Sequence, residues 1–231
     1  MILLTDLSEV LIKGVCGAEL IIQERYGRKV AKRYLKRRAE TNQIFCELMR
    51  GHLSEDVYWY VFMQDDDWPF SVDELKTIFS YNFVQKIPGT LELYKRIIGY
   101  PERIGAKDAP IEGRPEIWLV SDHIFERKVE LEYLHPELFE MTSKQIWSFD
   151  YSLLKSDPGF FKQVLDGYNL LPEEVVFIDD LSVNLASAAA EGITTIKFEN
   201  ANQLEIELGA LGFLFAETSN DSSNLNHYFQ S

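Results

Sequence analysis

Short apolar runs that end in acid mark two distant points of this chain. Ile2, Leu3 and Leu4 lead through Thr5 into Asp6, and Val175, Val176, Phe177 and Ile178 lead into Asp179 and Asp180. Unbroken apolar runs of this length suit strands buried on both faces. Glu116 to Ser121, Gln145 to Phe149 and Ile193 to Phe198 read the same way. Between residues 14 and 83 the period changes to that of helices. Leu35, Ala39, Cys46 and Met49 predict one helical stripe interrupted by Asn42, and Gly51 stops it. Ser54 followed by acid is a helix N-cap signal, and Ser71 with Glu74 forms a capping box. Pro88 is expected to open a helix through Leu91, Tyr94 and Ile97, and Pro158 one through Phe161, Val164 and Leu165. A Gly/Pro-rich loop joins Gly99 to Pro115, and a helix from Ser182 to Glu191 stops at Gly192.

Strands alternating with helices in the second half predict an α/β fold, a Rossmann-like parallel-sheet core with helices on both faces. The all-helical stretch then reads as an inserted helical cap. The expected boundaries are a core of residues 1–13 and 84–215, a cap of 14–83 and a polar, flexible tail of 216–231. Ligands of open parallel sheets bind along the edge formed by the strand C-termini. Asp6 and the Asp179/Asp180 pair are therefore expected to meet there. Carboxylates held that close repel unless a cation joins them, and Mg²⁺ is the hard cation suited to such oxygens.

Composition narrows the partners. With 46% hydrophobic and 13% aromatic residues the chain is expected to fold around a core. A net charge of −14 argues against nucleic acid as a partner. The basic run from Arg25 to Arg38 reads first as a solvated helix face, with attraction of an anion as the other reading. Tyr58, Trp59, Tyr60, Phe62, Trp68 and Phe70 are expected in the core of the cap. No apolar run is long enough to span a membrane, and no basic, then apolar leader opens the chain. Cys16 and Cys46 lack the spacing of a metal knuckle or redox motif, so free thiols and a cytoplasmic location are expected.

Four blocks in order, LLTDLSEVL (3–11), IWLVSDH (117–123), KSDPGFF (155–161) and VVFIDDLSVNLASAAAEGI (175–193), resemble the motifs of the haloacid dehalogenase (HAD) superfamily of hydrolases. The resemblance is to its sugar-phosphate phosphatase-like branch, with a small helical cap and an Asp-Asp metal motif. It implies Mg²⁺-dependent hydrolysis of a small phosphorylated metabolite through an aspartyl-phosphate. Asp6 would be the nucleophile, Ser121 a hydrogen-bond donor to the phosphoryl group, and Lys155 its counter-charge. Mg²⁺ would be held by Asp6, the Ser8 carbonyl and Asp180, with Asp179 either a ligand itself or an acid behind the ligands. Taken singly, each of these residues has an ordinary structural role open to it: a turn, a helix cap or a surface charge.

One position departs from the pattern. Family phosphatases carry a second aspartate two residues after the nucleophile, as general acid and base, where this chain has Ser8. A hydroxyl is far too weak an acid for that task. Ser8, Glu9, Asp122 and His123 are the candidates to contact substrate, and the last three those to supply the proton instead. The alternatives are a catalytically weak HAD-like binding or regulatory protein and, third, a dehalogenase.

Overall fold

The structure, a computed structural model, describes residues 1–15, 17–64, 67–99 and 115–213. The expected loop at 100–114, the tail and Cys16 lie outside them. The elements run β1 (Ile2–Thr5), α1 (Ala18–Tyr26), α2 (Arg28–Glu40), α3 (Asn42–Met49), α4 (Glu55–Met63), α5 (Val72–Phe83), α6 (Thr90–Ile98) and β2 (Glu116–Ser121). Then come α7 (Phe125–Leu134), α8 (Pro136–Met141), β3 (Lys144–Trp147), α9 (Ser148–Tyr151) and α10 (Phe160–Tyr168). The order closes with β4 (Val175–Asp179), α11 (Ser182–Ala190), β5 (Thr194–Lys197) and α12 (Ala201–Ala210).

All pairings in the five-stranded sheet, of order β3-β2-β1-β4-β5, are parallel. Successive side chains go to opposite faces. Leu3, Ile117, Leu119, Val176 and Ile178 join one core with α6, α7 and α12. Leu4, Trp118, Val120, Val175 and Phe177 join another with α10 and α11. Both faces are covered by helices, which is why the strands read as continuous apolar runs rather than alternating ones. β1 lies centrally; the chain runs outward through β2 to β3, then crosses back past β1 to β4 and on to β5. This reversal of strand order leaves a crevice at the strand C-termini.

The stretch from α1 to α5 is entered and left through segments that lie side by side. Lys13 N donates to Gln85 O at 2.8 Å, and Ile87 N donates to Leu11 O at 2.8 Å. Its far end rests on the sheet half through α3. Ser148 Oγ donates to Met49 O at 2.7 Å, and Arg50 makes a two-point ion pair with Asp157, both contacts 2.7 Å.

Several elements differ from the sequence expectation. The stripe from Leu35 to Met49 is two helices, broken at Thr41, whose hydroxyl bonds back to Arg37 O at 2.9 Å. Leu35 is exposed, because α2 buries Ala31 and Tyr34 instead. β3 ends at Trp147, since the buried Ser148 hydroxyl binds Met49 O and turns the chain into α9. The helices after Pro88 and Pro158 start two residues later than expected. Gly89 (φ 83°) and Gly159 (φ 86°) take the left-handed conformation of the third residue in a Pro-Gly turn. Tyr60 is exposed, on the outer side of α4, while Tyr58, Trp59, Phe62 and Phe70 are buried.

Candidate functional site

Each acid of the site stands at the end of a strand or just beyond it. Asp6 follows β1, and its amide donates to Ile178 O at 2.9 Å, one more rung of the β1–β4 ladder. Ser121 closes β2, and Asp179 closes β4. Lys155 arrives from the loop after α9. Its amide donates to Asp122 Oδ1 at 3.0 Å, and the Leu154 amide donates to Asp157 Oδ2 at 2.8 Å.

Lys155 is buried between two carboxylates. Its Nζ lies 2.8 Å from Asp6 Oδ1 and 2.7 Å from Asp179 Oδ2. Asp6 Oδ1 also accepts from the Leu7 amide at 2.7 Å and from Ser121 Oγ at 3.1 Å. All three donors fall on Oδ1; among the described residues none falls on Oδ2. An oxygen so left has lone pairs available to an electrophile or a cation. Asp179 differs. Both its oxygens are engaged, by Leu181 N (2.7 Å), by Asn184 Nδ2 (3.1 and 3.0 Å) and by Lys155. Asp180 is half-buried and takes no side-chain donor among the described residues.

The charge balance leaves a deficit of cation. Asp6, Asp179 and Asp180 bring oxygen atoms within 4.8 Å of one another. Burial pushes Asp6 up to about 7 against the pull of Lys155, with Asp179 adding to the rise. Burial and then Asp179 also raise Asp180. Lys155 is disfavoured by burial, yet Asp6, Asp179 and Asp122 outweigh it and hold it protonated. One lysine does not neutralise three acids, and hard oxygens with unspent negative charge fit a small divalent cation.

The remaining expected residues have defined contacts. Ser8 Oγ lies 3.2 Å from His123 Nε2. Glu9, at φ 61°, accepts from Gly14 N at 2.9 Å and pairs with Lys13, bracing the turn at residues 9–14. Asp122, raised by burial, holds the Lys155 backbone through Oδ1. His123 is buried, and burial, with Arg127 and Lys155 beside it, pushes it down to about 3. It is therefore a neutral imidazole near pH 7.

This has a consequence for stability. A histidine neutral in the folded state and near 6.5 when unfolded leaves stability unchanged above pH 6.5. Below that, the unfolded chain gains a proton that the folded one refuses. The folded state should lose about 1.4 kcal/mol per pH unit from this group, or about 2 kcal/mol by pH 5. Urea melts of wild type and His123→Asn from pH 7 to 5 test it. The variant is expected to show the flatter profile; parallel profiles would contradict the assignment.

Sequence reasoning passed over several residues of the site. Asn184, within the 175–193 block, donates to both oxygens of Asp179 alongside Leu181 N and Lys155. Phe45, Leu48 and Met49 line a cavity of about 290 Å³ that opens from Asp6, together with Tyr58, Trp59, Phe79 and Phe83. The spacing of Phe45, Leu48 and Met49 is one helical face, a signal present in the chain. Within the basic run, Arg37 donates to the carbonyls of Val61, Phe62 and Gln64 at the end of α4. Arg38 lines the cavity.

No family model matches the chain. A 59-residue segment is 42% identical to the mouse protein "Acyl-CoA dehydrogenase family member 10", covering 26% of this chain and 6% of that protein. Among solved structures, a HAD family enzyme from Bacteroides thetaiotaomicron, in complex with magnesium and inorganic phosphate, has a TM-score of 0.63 at 17% identity, over 86% of this chain and 94% of that one. A predicted HAD-like family hydrolase from Porphyromonas gingivalis has a TM-score of 0.66 at 16% identity, over 91% and 96%. The chain has the HAD-like fold. Among the described residues no helix is long and apolar enough to cross a membrane.

Proposed function

We propose that this chain of HAD-like fold is a HAD superfamily hydrolase, a Mg²⁺-dependent phosphatase acting on a small phosphorylated metabolite. The observation that carries the reading is the asymmetry of Asp6: one oxygen held by Lys155, Ser121 and the Leu7 amide, the other without a donor beside two further carboxylates. The solved relative bound to magnesium and phosphate supports it.

In this reading Asp6 Oδ2 attacks phosphorus, forming an aspartyl-phosphate as the bond to the leaving oxygen breaks. Lys155 and Ser121, already aimed at Asp6, hold the phosphoryl oxygens and balance their charge. Asp122 and Asp157 keep the Lys155 loop in place, and Asn184 keeps Asp179 turned toward Lys155. Water then attacks phosphorus and frees Asp6. Mg²⁺ would be held by Asp6, Asp180 and the Ser8 carbonyl, and when bound it neutralises charge on the phosphoryl group. With its oxygens engaged by Lys155 and Asn184, Asp179 is assigned behind the ligands rather than among them.

The metal assignment predicts that Asp180→Ala weakens Mg²⁺ binding by at least about tenfold in calorimetric titration, the loss of one ligand from a small set. Equal affinity in both proteins would remove Asp180 from the site. The helices of residues 14–83 act, in this reading, as a cap that excludes water during transfer. Phosphate with Mg²⁺ should then slow amide exchange in α3 and α4; unchanged exchange there argues against a cap role.

A second reading has its own observation. Ser8 faces a neutral histidine and not a carboxyl group, and the nearby Glu9 and Asp122 are held by Gly14 N with Lys13 and by the Lys155 amide. A binding or regulatory protein of low turnover fits that. Phosphate release from a panel of monoesters, with and without Mg²⁺, separates the two, because a binder releases none above the Asp6→Asn control.

A further inference from the structure

The cavity beside Asp6 divides into a polar floor and an apolar wall. The neutral floor side chains are already engaged: Ser121 with Asp6, Asn184 with Asp179, Ser8 with His123. Away from the floor the wall is built by Phe45, Met49, Tyr58, Trp59, Phe79 and Phe83. No Ser, Thr, Asn or Gln side chain lines this part among the described residues. Its charged members are Arg38, Glu55 and Arg127. Glu55 is occupied by Lys76 (2.7 Å) and Trp59 Nε1 (3.0 Å), and Arg127 pairs with Glu130 and lies over the Phe83 ring at 4.6 Å.

Such a wall selects by what it lacks. A sugar or other polyol buried here would find few partners beyond Arg38 for its several hydroxyl groups, and each one left unpaired disfavours binding. A flat apolar body gains stacking and edge contacts with the rings, and the planar guanidinium of Arg38 suits the same kind of surface. Ser8 points the same way independently. Its hydroxyl cannot protonate a leaving oxygen, His123 is neutral, Glu9 is held by Gly14 N and Lys13, and Asp122 by the Lys155 amide, so a leaving group able to depart as a stable anion is favoured. An alkoxide does so poorly. A phenolic oxygen, with a pKa near about 10 as in tyrosine, does so far more readily.

We infer that the cavity takes the phosphate monoester of an aromatic hydroxyl compound, in place of the sugar phosphate that the sequence resemblance implies. As a substrate claim this rests on the phosphatase reading. Asp6 Oδ2 would bond to phosphorus as the bond from phosphorus to the aryl oxygen breaks. The electron pair leaves on the phenolate, which takes a proton from solvent. Water then attacks phosphorus, the bond to Asp6 breaks, and phosphate departs with the second proton going to solvent.

The test is kcat/KM, with Mg²⁺, for 2-naphthyl phosphate, acetyl phosphate and glucose 6-phosphate. Acetyl phosphate has the more acidic leaving group and no ring, so it separates acidity from fit. The aryl ester is expected to exceed glucose 6-phosphate by about 10²-fold or more, the scale of an absent general acid, and to have a lower KM than acetyl phosphate. Phe45→Ala, at a partly buried position, should reduce the naphthyl-over-acetyl preference about three- to tenfold, the worth of one aromatic contact. Glucose 6-phosphate turned over as well as the aryl ester would overturn the inference and leave the phosphatase reading standing. If no ester is hydrolysed, that reading falls, and calorimetry with naphthylmethylphosphonate still decides what the cavity takes. Binding about tenfold tighter than inorganic phosphate supports an aromatic occupant; equal binding rules it out.

Discussion

Asp6→Asn is expected to lower phosphate release by about 10⁴-fold or more, the scale on which removal of a catalytic nucleophile acts. The amide matches the carboxylate in shape, can still accept from Ser121 and the Leu7 amide, and lacks the negative oxygen that would attack phosphorus. The fold should survive, because Lys155 keeps its contact with Asp179 at 2.7 Å and is not left as a lone buried charge. Circular dichroism and a thermal melt of the variant check that point, and malachite-green detection of phosphate checks the rate. Retention of most activity on any ester that the wild type hydrolyses would rule out Asp6 as nucleophile. It would also remove the reason for Oδ2 to stand free of donors.

The second large effect concerns Ser8. Restoring a carboxyl group by Ser8→Asp is expected to raise turnover of alkyl phosphates by up to about 10²-fold, the lower end of general-acid effects. Aryl phosphates should gain little, since their leaving group needs less help. The wild-type rate should depend steeply on leaving-group acidity, and the variant's should not. The surroundings favour the change: Ser8 Oγ is within 3.2 Å of His123 Nε2, so a carboxyl group there meets an imidazole able to position it. A side chain on residue 14 would press on Ser8 Cβ at 3.0 Å, so Gly14 is what leaves room beside this residue. If wild type is already fast on alkyl phosphates, another group is the acid. If the variant folds, binds Mg²⁺ and stays inert on every ester, the binding-protein reading takes over.

How the sheet was legible in sequence follows from its burial. Leu3–Leu4, Ile117–Val120 and Val175–Ile178 are apolar on both faces because helices cover both, and this local pattern needs no knowledge of the partner strands. The acids after β1 and within β4 were likewise visible, as were the Ser54 and Ser71 caps, because a cap is a matter of residues three apart. Local signals also misled where a side chain answered to a distant group. Trp147 to Phe149 reads as strand, but Ser148 binds Met49 O, a contact nearly one hundred residues away in sequence. Pro136–Met141 and Ala201–Ala210 are further helices, outside those expected from the sequence.

The sequence by itself determined the elements with a local cause: the apolar strands, the caps, the turn glycines and the presence of acid at two strand ends. Tertiary structure alone decided which oxygen of Asp6 is free, that Asn184 and Lys155 saturate Asp179 while Asp180 stays open, and that Ser8 faces a neutral His123. It also decided that the cavity wall is aromatic. The physical reason is the same in each case. Burial and a hydrogen-bond partner are properties of a pair brought together by the fold, and a residue's type states what it can offer but not which group will meet it.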